Sequence, residues 1–223
     1  MKKILIFVTN HATLGKTDDK NGTYAPEITH AVHEFITAGF DYDIASIKGG
    51  KGPLYGEEAD DEVNQDILKD DKFKAKMSNT LSVQEVDQND YAAVFYPGGF
   101  GLLSDLAQNA EVAKITAKAY EAGKIVGAVC HGPAALLPIK LSNGDALLKD
   151  KQVTSFTHEE EIDFETISKI PFLLEESLTR SAGSYVKKGP WTHHVITDGR
   201  LVTGQNPQSA HGVGQAMVSL LQA

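Results

Sequence analysis

The sequence predicts an α/β fold, a mostly parallel sheet with helices on both faces. Three observations carry this. Short apolar runs alternate with segments whose apolar residues recur at helical spacing, the pattern of strand–helix–strand units. Helix caps and glycine stops punctuate the joins. The 223 residues, 41% hydrophobic and 23% charged, suit a globular chain with a sizeable core rather than a disordered one. No linker-like stretch interrupts them, so residues 1–223 read as one domain.

Ile4–Val8 is the first strand, an apolar run of five residues that is too short for a signal-peptide core or a membrane span. Pro26 suits the start of a helix that continues through Ile28, Ala31, Val32, Phe35 and Ile36. Tyr42–Ser46 follows as a strand. Residues 10–25 and 47–80 are long for connections, and the second is expected to be an insertion or lid. Its Gly49-Gly50-Lys51-Gly52-Pro53 is a turn, since no Gly-Lys-Ser/Thr closes a phosphate-binding loop there. The acidic run Glu57-Glu58-Ala59-Asp60-Asp61-Glu62 reads as a solvated loop or helix face. Strand Ala92–Tyr96 comes next, then a helix over Ala110–Ala122 capped by Asn109 and ended by Gly123. Ile125–Val129 and Leu201–Thr203 complete the sheet. Pro190–Thr203 predicts a hairpin that turns at Asp198-Gly199, and Asn206-Pro207 opens a last helix through Val213, Ala216, Met217 and Leu220.

A net charge of −9 argues against nucleic acid or an anionic membrane as a partner, because phosphate binding needs a basic surface. The single cysteine makes no internal disulfide and points to a reducing, cytoplasmic compartment. No His/Cys cluster has metal-ligand spacing, so neither a metal nor another cofactor is expected.

That cysteine carries the chemistry. Cys130 ends the apolar run Ile125–Val129, with Ala128 two residues before it and Gly132 two after, and a helix-forming stretch follows. This is how a nucleophile elbow reads: a buried strand, a sharp turn presenting one side chain, then a helix whose N-terminus faces it. Oriented N–H groups and the helix dipole would leave such a thiol partly ionised. A plain buried thiol is the competing reading. In open α/β sheets ligands bind beyond the carboxyl ends of the strands. Pro97-Gly98-Gly99-Phe100-Gly101 occupies one such end, where backbone N–H groups together with that of His131 would form an oxyanion hole. Glu27 stands in the first turn above another, a position that macrodipole stabilisation alone would explain. Thr157 and Glu160 have capping-box spacing, so Glu161 is the better candidate to orient an imidazole, although an acidic first turn alone would explain it and the pattern does not decide which carboxylate faces the site. His131, directly after Cys130, would accept the thiol proton if its ring is held in place, although adjacent side chains at a sharp turn often diverge.

Tyr96-Pro97-Gly98-Gly99, Ala128-Val129-Cys130-His131-Gly132-Pro133-Ala134, Gly189-Pro190-Trp191 and Asp198–Pro207 together resemble the ThiJ/PfpI superfamily, and within it the glyoxalase III-like branch of chaperone-like, glutathione-independent glyoxalases. The resemblance runs from the first strand to the last helix. It implies a flavodoxin-like three-layer sandwich, a homodimer, and catalytic Cys130, His131, Glu27 and Glu161. Gly98, Gly99, Phe100 and Trp191 are implied as oxyanion and substrate-binding residues. Where the branch often has Gly-Gly-His-Gly, this chain has Gly98-Gly99-Phe100-Gly101, which removes a polar group expected near the pocket rim.

The activity implied is conversion of methylglyoxal or a similar small aldehyde to a 2-hydroxy acid through a cysteine hemithioacetal. It would be a lyase with a stress-response role. Two other readings are a cysteine peptidase or amidase, and a stress chaperone or redox sensor with little turnover.

Overall fold

The computed structural model describes residues 2–223. In chain order it runs β1 (Lys3–Phe7), β2 (Thr23–Tyr24), α1 (Ala25–Thr37), β3 (Asp41–Ser46), β4 (Lys48–Gly50), β5 (Leu54–Tyr55), α2 (Glu62–Lys69), α3 (Asp71–Ser78), β6 (Thr80–Ser82) and β7 (Tyr91–Tyr96). It continues with α4 (Gly101–Ser104), α5 (Ala110–Glu121), β8 (Ile125–Val129), β9 (Gln152–Val153), α6 (His158–Asp163), α7 (Leu174–Ser181), β10 (Ser184–Tyr185), β11 (Val195–Asp198), β12 (Leu201–Gly204) and α8 (Ala210–Gln222).

The main sheet has the order β11-β12-β8-β7-β1-β3-β6-β4. Its neighbours pair in parallel except at the two edges, where β11 and β4 run antiparallel to β12 and β6. Successive side chains of a strand point to opposite faces. In β1, Ile4 and Ile6 therefore join the layer of α1, α2, α3 and α8, while Leu5 and Phe7 join that of α5 and α7. Burial on both faces is why the inner strands read as continuous apolar runs rather than alternating ones. No helix among the described residues is long and apolar enough to cross a membrane.

Residues 47–80 hold the edge strand β4, the short β5 and two helices, and Asp61 of the acidic run accepts from the Asn64 N–H as the cap of α2. Three expectations need correction. The hairpin is shorter than predicted: its first strand begins at Val195, and residues 190–194 are a turn at Pro190-Trp191 followed by irregular chain. Ile36, assigned to the buried stripe of α1, is 43% exposed. The segment after Cys130 is a five-residue 3-10 turn, Gly132–Leu136, rather than an α-helix. Pro133 there has no N–H to donate, and the chain gains only one turn's worth of aligned dipoles.

The parallel order puts the ends of β1, β7, β8 and β12 side by side. That is where the site forms.

Candidate active site

Cys130 takes the left-handed conformation, φ +59°, that a bulky residue adopts only when its surroundings impose it. Both of its backbone groups are held. Its N–H donates to Gly204 O of β12 at 2.9 Å, and its carbonyl accepts from Phe156 N at 2.9 Å. The thiol therefore projects from a fixed elbow, 4% exposed.

On one side of the sulfur lies the His131 ring, with Sγ···Nδ1 at 3.4 Å. Nε2 of that ring is 2.7 Å from Glu161 Oε1, and the Thr166 hydroxyl donates to Glu161 Oε2. A carboxylate that accepts Nε2–H leaves Nδ1 with its lone pair toward sulfur, the tautomer a base needs. Glu160 points elsewhere, its Oε2 accepting from Thr157 N (2.8 Å) and Oγ1 (2.9 Å) in a complete capping box.

On the other side lies Glu27, fully buried in the first turn of α1. Burial pushes its carboxyl up to about 8 against the opposing effect of the neighbouring thiol and the Gly98 N–H, and the charge of Glu160 adds to the rise. Burial also pushes the Cys130 thiol up, and Glu27 raises it further. The partly ionised thiol expected from the sequence is thus corrected: it faces acidic groups in a buried site, with a 3-10 turn in place of the helix dipole.

Gly98 and Gly99 belong here for steric reasons. A Cβ on Gly98 would lie 2.1 Å from Glu27 Oε2 and 2.6 Å from Cys130 Cβ. Gly99 has φ +118°, and a Cβ there would lie 2.3 Å from Gly22 O. Gly98→Ala is accordingly expected to lower stability by about 1–3 kcal/mol through overpacking and to part Glu27 from the sulfur. Thermal melts of the variant check this, and an unchanged melting temperature contradicts it. Among the described residues no hydrogen bond takes the N–H of Gly99 or of His131.

The sulfur opens into a cavity of about 130 Å³ lined by Tyr24, Tyr55, Phe100, Phe156, Phe164 and Trp191, with Gln208 and Pro207 at one edge. A larger cleft, about 440 Å³, lies against Lys20, Lys51 and Lys74 and is lined by neither a cysteine nor a histidine, so the smaller cavity is the one that holds the thiol and its base. Phe100 lines this cavity and is 3% exposed, its ring 4.4 Å from that of His131. Trp191 stands in the wall 5.6 Å from Phe156, its Nε1 donating to Asp163 Oδ2 at 3.0 Å.

The structure thus brings Glu27, Gly98, Gly99, Phe100, Cys130, His131, Glu161 and Trp191 into one place. Sequence reading missed Tyr24, Tyr55, Phe156 and Phe164. Their signal, an aromatic next to a strand or helix end, is the same as that of ordinary core residues. No group of three or more His, Cys, Asp or Glu among the described residues has metal-binding geometry.

The family model described as DJ-1/PfpI family matches residues 20–220. The chain is 31% identical to glutathione-independent glyoxalase HSP31 of Saccharomyces cerevisiae, over 99% of this chain and 98% of that protein. Among solved structures it is similar to Rapid Encystment Protein 24 KDa of Francisella tularensis, with TM-score 0.95, 34% identity and 99% of each chain covered. It is also similar to glyoxalase III of Candida albicans, with TM-score 0.87 and 27% identity over 98% of this chain and 96% of that one.

Proposed function

We propose the following reaction for this chain, which belongs to the DJ-1/PfpI family: glutathione-independent conversion of methylglyoxal, or a similar 2-oxoaldehyde, to the 2-hydroxy acid. Relatives that carry glyoxalase names support it. One observation carries it further: two acid/base groups flank a single sulfur, His131 on one side and Glu27 on the other. A hydrolase needs only the first. Moving hydrogen between two adjacent carbons needs the second.

The thiol proton passes to His131 Nδ1 as sulfur adds to the aldehyde carbon, and the oxygen is stabilised by the N–H groups of Gly99 and His131. That oxygen then takes the proton back, giving a hemithioacetal. Glu27, as carboxylate, removes the hydrogen on C1 as the ketone oxygen is protonated, leaving an enediol. Glu27 returns its proton to C2, and C1 becomes a thioester as its hydroxyl loses a proton. C1 is oxidised and C2 reduced within one molecule, so no external oxidant is required. Water, activated by His131, releases lactate and restores the thiol. The net change is methylglyoxal plus water to lactate and one proton.

The test is lactate formation from methylglyoxal by purified protein without glutathione; no lactate overturns the reading. Because Glu27 must lose its proton to act and does so at about 8, kcat/KM is expected to climb about tenfold per pH unit below that value and level off above it. A profile flat from pH 5 to pH 8 would remove Glu27 from the role. A peptide does not fit a cavity of about 130 Å³ walled by six aromatic rings, which disfavours the peptidase reading.

By class the enzyme is a lyase of the lactate dehydratase type. We assign it to the cytoplasm as a homodimer acting under aldehyde stress, supported by the resemblance to the glyoxalase III branch and by its single cysteine. The chain works as one domain in which residues 47–80 serve as a lid, supported by Tyr55 of that segment in the cavity wall.

A further inference from the structure

We propose that Glu160 is a positioning residue whose buried carboxylate fixes the turn that presents Trp191 to the substrate cavity. A capping box accounts for only half of what this side chain does. Oε2 serves Thr157, within its own helix, but Oε1 accepts three bonds from outside it: Trp191 N at 2.8 Å, Asn206 Nδ2 at 2.8 Å and Gln205 Nε2 at 3.2 Å. All five donors are uncharged, so a fully buried carboxylate is held by amide and hydroxyl groups alone. Burying charge is costly, and a helix cap on the surface would not require it.

The segments that Oε1 ties together are the ones that wall the cavity. Trp191 has φ +59°, a strained conformation for so large a residue, and its N–H is the anchor. Asn206 extends the tie by donating also to Thr192 O at 2.9 Å, and it precedes Pro207 and Gln208 at the cavity edge. Gln205 adds weaker contacts to the carbonyls of Lys188 (3.3 Å) and Gly189 (3.4 Å), the approach to the same turn. Asn206, read from the sequence as a helix cap, makes no side-chain cap bond and is spent on this strap instead. The next residue of the helix, Glu161, orients His131. Two consecutive glutamates thus divide the site: one sets the base, the other the wall.

Trp191 is the only tryptophan, so its fluorescence reports the wall directly. Glu160→Gln puts an amide donor where either Thr157 or the Trp191 turn already donates. The expected result is a red-shifted emission, faster acrylamide quenching, and a KM for methylglyoxal raised roughly tenfold with kcat within about threefold of wild type. Asn206→Ala, which leaves the capping box whole, is expected to move the same readouts in the same direction. It decides the matter if Glu160→Gln does not fold. Glu159→Gln, at an exposed carboxylate paired with Lys187, is the control that leaves them unchanged. Unchanged emission and KM in the strap variants overturn the proposal, as does a fall in kcat at constant KM. The kinetic arm rests on the glyoxalase reading. If wild-type protein turns over no methylglyoxal, that reading fails alone, and the fluorescence arm still decides the positioning role.

Discussion

Cys130→Ser is expected to form no measurable lactate from methylglyoxal, a loss of at least about a thousandfold, since nothing else in the cavity can hold the substrate as a covalent adduct. The substitution is nearly isosteric, and the elbow is held through its backbone N–H and carbonyl rather than its side chain. The melting temperature should therefore stay within a few degrees of wild type. A serine variant that is folded and still active sinks the covalent scheme. One that suppresses client aggregation as well as wild type, when wild type itself turns over no aldehyde, supports the chaperone reading.

Glu27→Gln is expected to remove activity and add stability. An ordinary glutamate titrates near 4.5, whereas burial holds the Glu27 carboxyl at about 8. The folded state therefore keeps a proton that the unfolded chain releases. The stability this group supports is full below pH 4.5 and declines as pH rises, until the folded carboxyl itself ionises near 8. At pH 7 the loss amounts to about 3 kcal/mol, at about 1.36 kcal/mol for each pH unit above 4.5. A neutral amide of the same shape avoids that loss. Melts at pH 7 should show the variant several degrees more stable, and melts near pH 4.5 should show no gain. Equal stability at both values would mean that Glu27 is not buried as a proton holder.

Much of this was legible beforehand because the parallel sheet writes itself as apolar runs. Ile125–Val129 and Leu201–Thr203 are buried on both faces and bounded by turn residues, so the positions of their ends, and with them Cys130, follow from one-dimensional pattern. Thr157 and Glu160 satisfy a local rule and could be read as a cap. What could not be read is what lies across the gaps between strand ends. Neighbouring residues of a helix differ by about a third of a turn, so which of Glu160 and Glu161 meets His131 depends on how α6 sits against β8 and β12. The aromatic walls come from loops and short elements that no periodicity marks. Two eight-residue helices inside 47–80 went unseen for a similar reason, since only two residues of each are buried. The ionisation of the thiol is not legible in the pattern, because an elbow predicts a helix dipole, whereas burial and carboxyl neighbours are properties of the assembled site.

The clamp on Cys130 has a consequence for how such an enzyme can change. Its amide is bonded to the neighbouring strand and its carbonyl to the segment at Phe156, so the sulfur is referenced to the frame of the sheet. Tyr55, Phe164 and Trp191, by contrast, come from the two-residue strand β5, paired only with β2, and from two turns. Replacing the walls leaves the nucleophile where it is. Selection for a bulkier or more polar aldehyde can work on the periphery one residue at a time, each intermediate retaining a competent thiol, whereas a change in the elbow must get several strands right at once.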